Sequence, residues 1–193
     1  RILLIFAWLV CFAITAMAQA KYVFFFIGDG MGPNQVLAAE MYQAALKGEI
    51  GRVPLLMSQF PYSGQAATFS ASYGITDSAA AGTCLASGKK TNNGMIGQTP
   101  DGELAISVAS QLKTEGWGVG IMSSVPVDHA TPASHYAHAE KRYYYYKIGT
   151  QLTQSEFDFF GGGGFQSPTN KENAEDPNLY DLAREAGYTL VGS

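Results

Sequence analysis

The chain has 193 residues, 47% hydrophobic and 15% charged, which is enough apolar material to bury a core and too much for a disordered segment. Its formal charge of −4 comes without any run of lysine or arginine, so a basic stripe that tracks a nucleic-acid backbone is excluded. Residues 1–20, "RILLIFAWLVCFAITAMAQA", place one basic residue before an apolar run that ends in small residues at A-x-A spacing. That is the layout of a secretory signal peptide cleaved after Ala18 or Ala20. The alternative is an uncleaved anchor, because the run is almost long enough to span a bilayer. Val10 does not suit lipoprotein processing at Cys11. After cleavage Cys84 alone remains, so no internal disulfide is expected. The first residue, arginine, and the ending at "TLVGS" read as a chain that is a fragment at both ends.

Further along, "KYVFFFIGDGMG" is a short aromatic and β-branched run closed by glycines, which predicts a buried strand feeding a loop. Pro33 opens an amphipathic helix through Leu46, stopped by Gly48. "GELAISVASQLKTEG" predicts a helix up to Gly116 and "WGVGIMSS" a second buried strand. Thr131 and Pro132, a cap and a first-turn proline, predict a helix carrying His135, His138 and Arg142 on nearby turns. "FDFF", "NLYDLAREAG" and "YTLV" add a strand, a helix and a strand. Alternating strands and helices define an α/β fold, a mostly parallel central sheet with helices on both faces. Ligands in such folds sit beyond the C-terminal ends of strands, which puts Asp29 and the segment from Ser123 to Thr131 on one rim. The runs Tyr143 to Tyr146 and Gly161 to Gly164 are too short to be repeats. The tyrosines of the first pack or lie half exposed on a helix, and the second reads as a flexible or tightly turning loop.

Three stretches carry groups capable of chemistry. In "IGDGMG", Asp29 is either an ordinary turn aspartate or a hard oxygen ligand for a divalent cation. In "YGITDSAAAGTCLASGKK", Ser78 lies near a helix start, where free N–H groups and the helix dipole favour an anion. Standing alone it reads as a helix cap before it reads as a nucleophile awaiting activation. No G-x-S-x-G elbow accompanies it, and Cys84 reads as a small buried helix residue. In "VPVDHATPASHYAHAEKR", His129 and Thr131 can point toward one site and Arg142 can clamp a phosphate with its planar fork. Each also has a plain structural use, and His135 and His138 read as surface histidines.

Together, "FFFIGDGMG", "TDSAAAGT" with "GKKTNNGMIG", and "HATPASHYAH" followed by Arg142 resemble the alkaline phosphatase family, in order and spacing, over nearly all of residues 21–193. The resemblance implies a bacterial, secreted or periplasmic phosphomonoesterase that uses two zinc ions and one magnesium ion. It makes Ser78 the nucleophile that becomes phosphoserine and a metal ligand. It makes Arg142 the phosphate clamp and Asp77 the residue that helps hold this arginine. Asp29 matches an aspartate bridging a zinc and the magnesium site, and Thr131 a hydroxyl ligand of magnesium. His129 stands where members carry aspartate or histidine, touching magnesium directly or through water.

The family's remaining metal ligands lie later in its chain, so residues 21–193 read as the N-terminal part of a catalytic domain, inactive in isolation. The implied partners are small phosphate monoesters, with no nucleic-acid surface and no membrane anchor after signal cleavage, and a homodimer is left open. The readings that compete with this one are a superfamily phosphodiesterase or sulfatase-like hydrolase, a metal-free serine esterase using His129 or His138, and a phosphate-binding protein without turnover.

Overall fold

A computed structural model describes residues 20–192. The signal peptide expected over residues 1–20 lies outside the described residues except for Ala20 itself. The chain divides into two units, Arg1–Gln59 and Phe60–Ser193.

In the first unit, α1 (Pro33–Leu46) begins as the proline predicts, with Gln35 Oε1 accepting from the Gly32 N–H at 3.0 Å. Glu40 on this helix is buried. Its carboxylate accepts from the Leu55 N–H at 3.1 Å and from Arg52 Nη1 at 3.3 Å, tying the returning chain to the helix. A 3-10 turn follows at Leu56–Gln59. The strand expected from "KYVFFFIG" does not form; residues 21–28 carry no ladder and Phe26 is 88% exposed. An apolar run becomes a strand only where a neighbour takes up its backbone groups, and no ladder reaches this one among the described residues.

The second unit has the order α2 (Ser78–Ser87), α3 (Val108–Thr114), β1 (Gly120–Met122), α4 (Ala130–Ala133), α5 (Tyr145–Thr153), β2 (Phe159–Gly161) and α6 (Leu179–Glu185). β1 and β2 pair in parallel, Ile121 opposite Phe160, with α5 lying between them in sequence. Asp158 sets the start of this pairing. Its N–H donates to Val119 O at 2.8 Å, and its carboxylate accepts from the Val119 N–H at 2.7 Å and from Lys113 Nζ at 2.9 Å. The apolar core gathers Ile96, Ile148, Leu152 and Phe157 with Ala79, Ala133 and Ala137. Phe160 stacks on Phe157 and meets the Tyr136 ring edge-on at 5.4 Å.

The fold is α/β, as the alternation predicts, but several elements are shorter than the sequence suggests. α3 starts only after Ser107, whose hydroxyl caps the Ser110 N–H at 3.0 Å. The residues before it are taken by other partners, since Ala105 donates to Gly97 O and Leu104 bridges to Gln98. "YTLV" at 188–191 forms no strand. The helix expected from Thr131 to Arg142 runs only over Ala130–Ala133, with His129 rather than Thr131 at the position before its first residue and no side-chain cap. It stops because Ala139 pairs with Ile96, each N–H donating to the other's carbonyl at 2.8 Å, which diverts the backbone from helical bonding.

Candidate functional site

Helix α2 carries Ser78 as its first residue, and Asp77 rather than Ser78 is the cap. Asp77 Oδ1 accepts from the Ala80 N–H at 2.9 Å. The run of alanines and glycine behind Ser78 has a packing reason. A Cβ on Gly82 would lie 2.6 Å from Ser134 Oγ and 3.5 Å from Thr131 Cα, so the bare glycine lets α2 sit directly against α4. That contact brings the Ser78 helix and the Thr131 helix together. Gly88, with φ +71°, closes α2 in the left-handed conformation that favours glycine.

The second Asp77 oxygen organises the rest. Oδ2 lies 3.1 Å from Arg142 Nη1 and accepts from the Gly94 N–H at 3.1 Å, while Arg142 N–H donates to Gly94 O at 2.7 Å. Arg142 therefore reaches Asp77 from a loop and not from a helix, a correction to its expected position. Asn93 completes the frame: its side-chain oxygen accepts from the Asp77 N–H at 3.2 Å and its amide donates to Ile75 O at 3.0 Å. Asn93 and Gly94 are site residues that the sequence does not single out, although both lie in "GKKTNNGMIG". Their signal is the polar turn itself, two side-chain amides beside a glycine.

His129 stacks on Tyr145, ring centroids 5.6 Å apart. His135 and His138, expected at the surface, are half-buried. His138 Nδ1 lies 2.5 Å from Gly97 O and His135 Nδ1 lies 3.1 Å from Thr131 O, and burial pushes the His135 imidazole below its usual value. Cys84 is half-buried on α2 and free. Asp29 belongs to the other unit, exposed in a turn in which the Met31 N–H donates to Gly28 O at 3.1 Å.

The carboxylate that sequence reasoning passed over is Asp128, next to His129 and fully buried. Burial raises its pKa, against the pull of the Gln166 and Ser167 N–H groups that bond it. Burial, and then the nearby Asp128, push the Tyr136 hydroxyl well above its usual value; that hydroxyl donates to Val127 O at 2.7 Å. Among the described residues no group of three or more His, Cys, Asp or Glu stands together as a metal cluster.

Fold and site together define an α/β protein whose serine-bearing helix start is framed by an aspartate-held arginine. The family model described as alkaline phosphatase matches residues 20–190. The chain is 33% identical over 184 residues to alkaline phosphatase 4 of Bacillus subtilis (strain 168), covering 90% of this chain and 38% of that protein. Among solved structures it is similar to the alkaline phosphatase of Thermus thermophilus, with TM-score 0.74 and 26% identity over 85% of this chain and 34% of that one. A mutant of TAB5 alkaline phosphatase, described with Mg bound in the M3 site, matches with TM-score 0.58 and 26% identity over 69% of this chain and 41% of that one. The chain belongs to the alkaline phosphatase family. It spans less than half the length of these relatives.

Proposed function

We propose that the protein represented by this chain hydrolyses phosphate monoesters through a phosphoserine at Ser78. The observation that carries this reading is Arg142 held at 3.1 Å by Asp77, the residue adjacent to Ser78 at the start of α2. Ser78 Oγ attacks the phosphorus; its O–P bond forms as the ester O–P bond breaks and the alcohol leaves. Water then cleaves the phosphoserine, returning the hydroxyl and releasing phosphate. Arg142 offers two parallel N–H donors to the non-bridging oxygens, and the first N–H groups of α2 favour the same negative charge. Asp77 prevents the guanidinium from swinging away. Unassisted hydrolysis is so slow that rate enhancements up to ~10²¹ are demanded of such sites, and preorganised charge supplies a large share.

By the family resemblance Ser78, His129 and Thr131, and Asp29 in its own unit, are the residues of this chain that would serve as ligands to two zinc ions and one magnesium ion. Their donor chemistry fits in part: carboxylate and hydroxyl oxygens suit magnesium, the His129 imidazole, a poorer magnesium ligand, would serve it directly or through water, and the number of donors falls short of complete shells. Bound metals of this kind supply an ionised nucleophile and a stabilised leaving oxygen. Residues 1–20 are proposed as a signal peptide and 21–193 as the N-terminal part of the catalytic domain, in a secreted or periplasmic protein, with homodimerisation left open. No helix among the described residues is long and apolar enough to cross a membrane.

The test is a chromogenic phosphate monoester assayed at alkaline pH with the full-length protein, with and without chelator, in wild type and Ser78→Ala. Turnover that needs metal and collapses in Ser78→Ala is expected. Turnover indifferent to both overturns the reading, and preference for a diester moves the protein to a neighbouring activity. The isolated 193 residues are expected to give no turnover.

A further inference from the structure

The glycine run and Asp128 have no part in the function proposed above, yet they meet. Beyond β1 and β2 the backbone pairing continues: Ser123 N–H donates to Gly161 O at 2.9 Å, Gly163 N–H to Val125 O at 3.1 Å, and Val127 N–H to Gly164 O at 2.9 Å. The two loops touch so closely that a Cβ on Gly162 would lie 2.8 Å from Val125 O and 3.0 Å from Val127 Cγ1. Backbone pairing stops at Val127, and the Asp128 side chain takes over. Oδ1 accepts from the Gln166 N–H at 2.8 Å, and Oδ2 accepts from the same N–H at 3.0 Å and from the Ser167 N–H at 3.3 Å. Asp128 is also a central residue of the turn closed by His129 N–H donating to Pro126 O at 3.0 Å, and His129 is the residue from which the helix carrying Thr131 begins.

We propose that Asp128 is a positioning residue: its buried carboxylate clamps the loop after β2 onto the Pro126–His129 turn and so fixes where His129 and Thr131 present their side chains. The inference rests on the functional reading above, in which those two residues serve a magnesium ion. A carboxylate is suited to this place because both oxygens accept. An asparagine has one accepting oxygen: placed where Oδ2 stands it reaches both backbone donors, but its N–H₂ group then faces the Gln166 N–H, donor against donor, across the 2.8 Å that Oδ1 now spans. Partners that orient metal ligands from behind are worth about 10- to 100-fold in metal affinity.

The experiment compares full-length wild type with Asp128→Asn, Gly162→Ala, Thr131→Val and Asn178→Ala. Mg²⁺ alone is titrated calorimetrically into metal-stripped protein, and amide exchange is followed in peptides covering residues 163–168. Asn178→Ala removes the cap of α6, whose side chain accepts from the Tyr180 N–H at 2.9 Å, and reports the effect of lost stability alone. Asp128→Asn and Gly162→Ala are expected to speed exchange at Gln166 and Ser167 and to weaken Mg²⁺ about tenfold. Asn178→Ala is expected to bind Mg²⁺ as wild type does. Wild-type Mg²⁺ affinity in Asp128→Asn, or equal weakening in Asn178→Ala, overturns the positioning role while Thr131→Val still binds weakly. Thr131→Val binding as wild type overturns the magnesium reading, and the positioning role with it.

Discussion

The Asp77 carboxylate divides its two oxygens between two tasks: Oδ1 caps its own helix at Ala80 N–H, 2.9 Å away, and Oδ2 holds Arg142 Nη1 at 3.1 Å. Asparagine can cap a helix as well as aspartate, but it cannot supply the charge that holds a guanidinium. Asp77→Asn is therefore expected to keep most of the thermal stability of the full-length protein and to raise KM for a phosphate monoester. Asp77→Ala loses the cap as well, at about 1 kcal/mol. Thermal unfolding beside steady-state kinetics separates the two tasks, and an unchanged KM in Asp77→Asn would contradict the assignment.

Asn93 supports the same corner from the other side, through Asp77 N–H and Ile75 O. Asn93→Ala removes both bonds and frees the segment leading into Ser78. The expected result is reduced kcat/KM with a small loss of stability, about 0.5–1.5 kcal/mol per bond removed. Urea unfolding and kinetics on the same preparation check this.

Gly82 fixes the separation of the Ser78 and Thr131 helices. A methyl group there would sit 2.6 Å from the Oγ and 3.2 Å from the Cβ of Ser134, which is itself buried and cannot swing aside. Gly82→Ala is expected to destabilise the protein by about 1–3 kcal/mol, the usual cost of overpacking, and to reduce activity beyond the loss of folded protein. Gly64→Ala, where a Cβ would meet nothing within 4 Å, serves as the control.

Asp158 gives a pH prediction. The Lys113 ammonium, with the Val119 N–H, holds its carboxyl below the ordinary aspartate value of 3.8. A depressed carboxylate pKa contributes stability that is present above the unfolded value and is lost as pH falls through the folded one. Lys113→Met should raise the Asp158 pKa in an NMR titration and flatten the acid side of the stability curve. An unmoved titration would show that the Val119 N–H alone sets it.

Much of this was legible along the chain because the signals are local. Proline at the first position of α1 acts on backbone groups within one turn, and α1, α2 and α6 stand where that proline, the helix start at Ser78 and the pattern "NLYDLAREAG" put them. The parallel sense of β1 and β2 was legible too, because strands and helices alternate along the chain. The errors came where partners are distant in sequence. Residues 21–28 have strand composition and no ladder, and the segment 134–142 has helical pattern but is claimed by Ile96, more than 40 residues earlier.

The sequence by itself determined the α/β class and the family, through the motifs around Asp29, Ser78, His129 and Arg142, because residue type and spacing survive without knowledge of contacts. Only the tertiary structure decided that Asp77 both caps and clamps, that Gly82 sets the helix spacing, and that Asp128 is buried against a loop 38 residues away. A hydrogen bond or a close approach depends on position in space, and the linear order of residues does not carry it until the chain has folded.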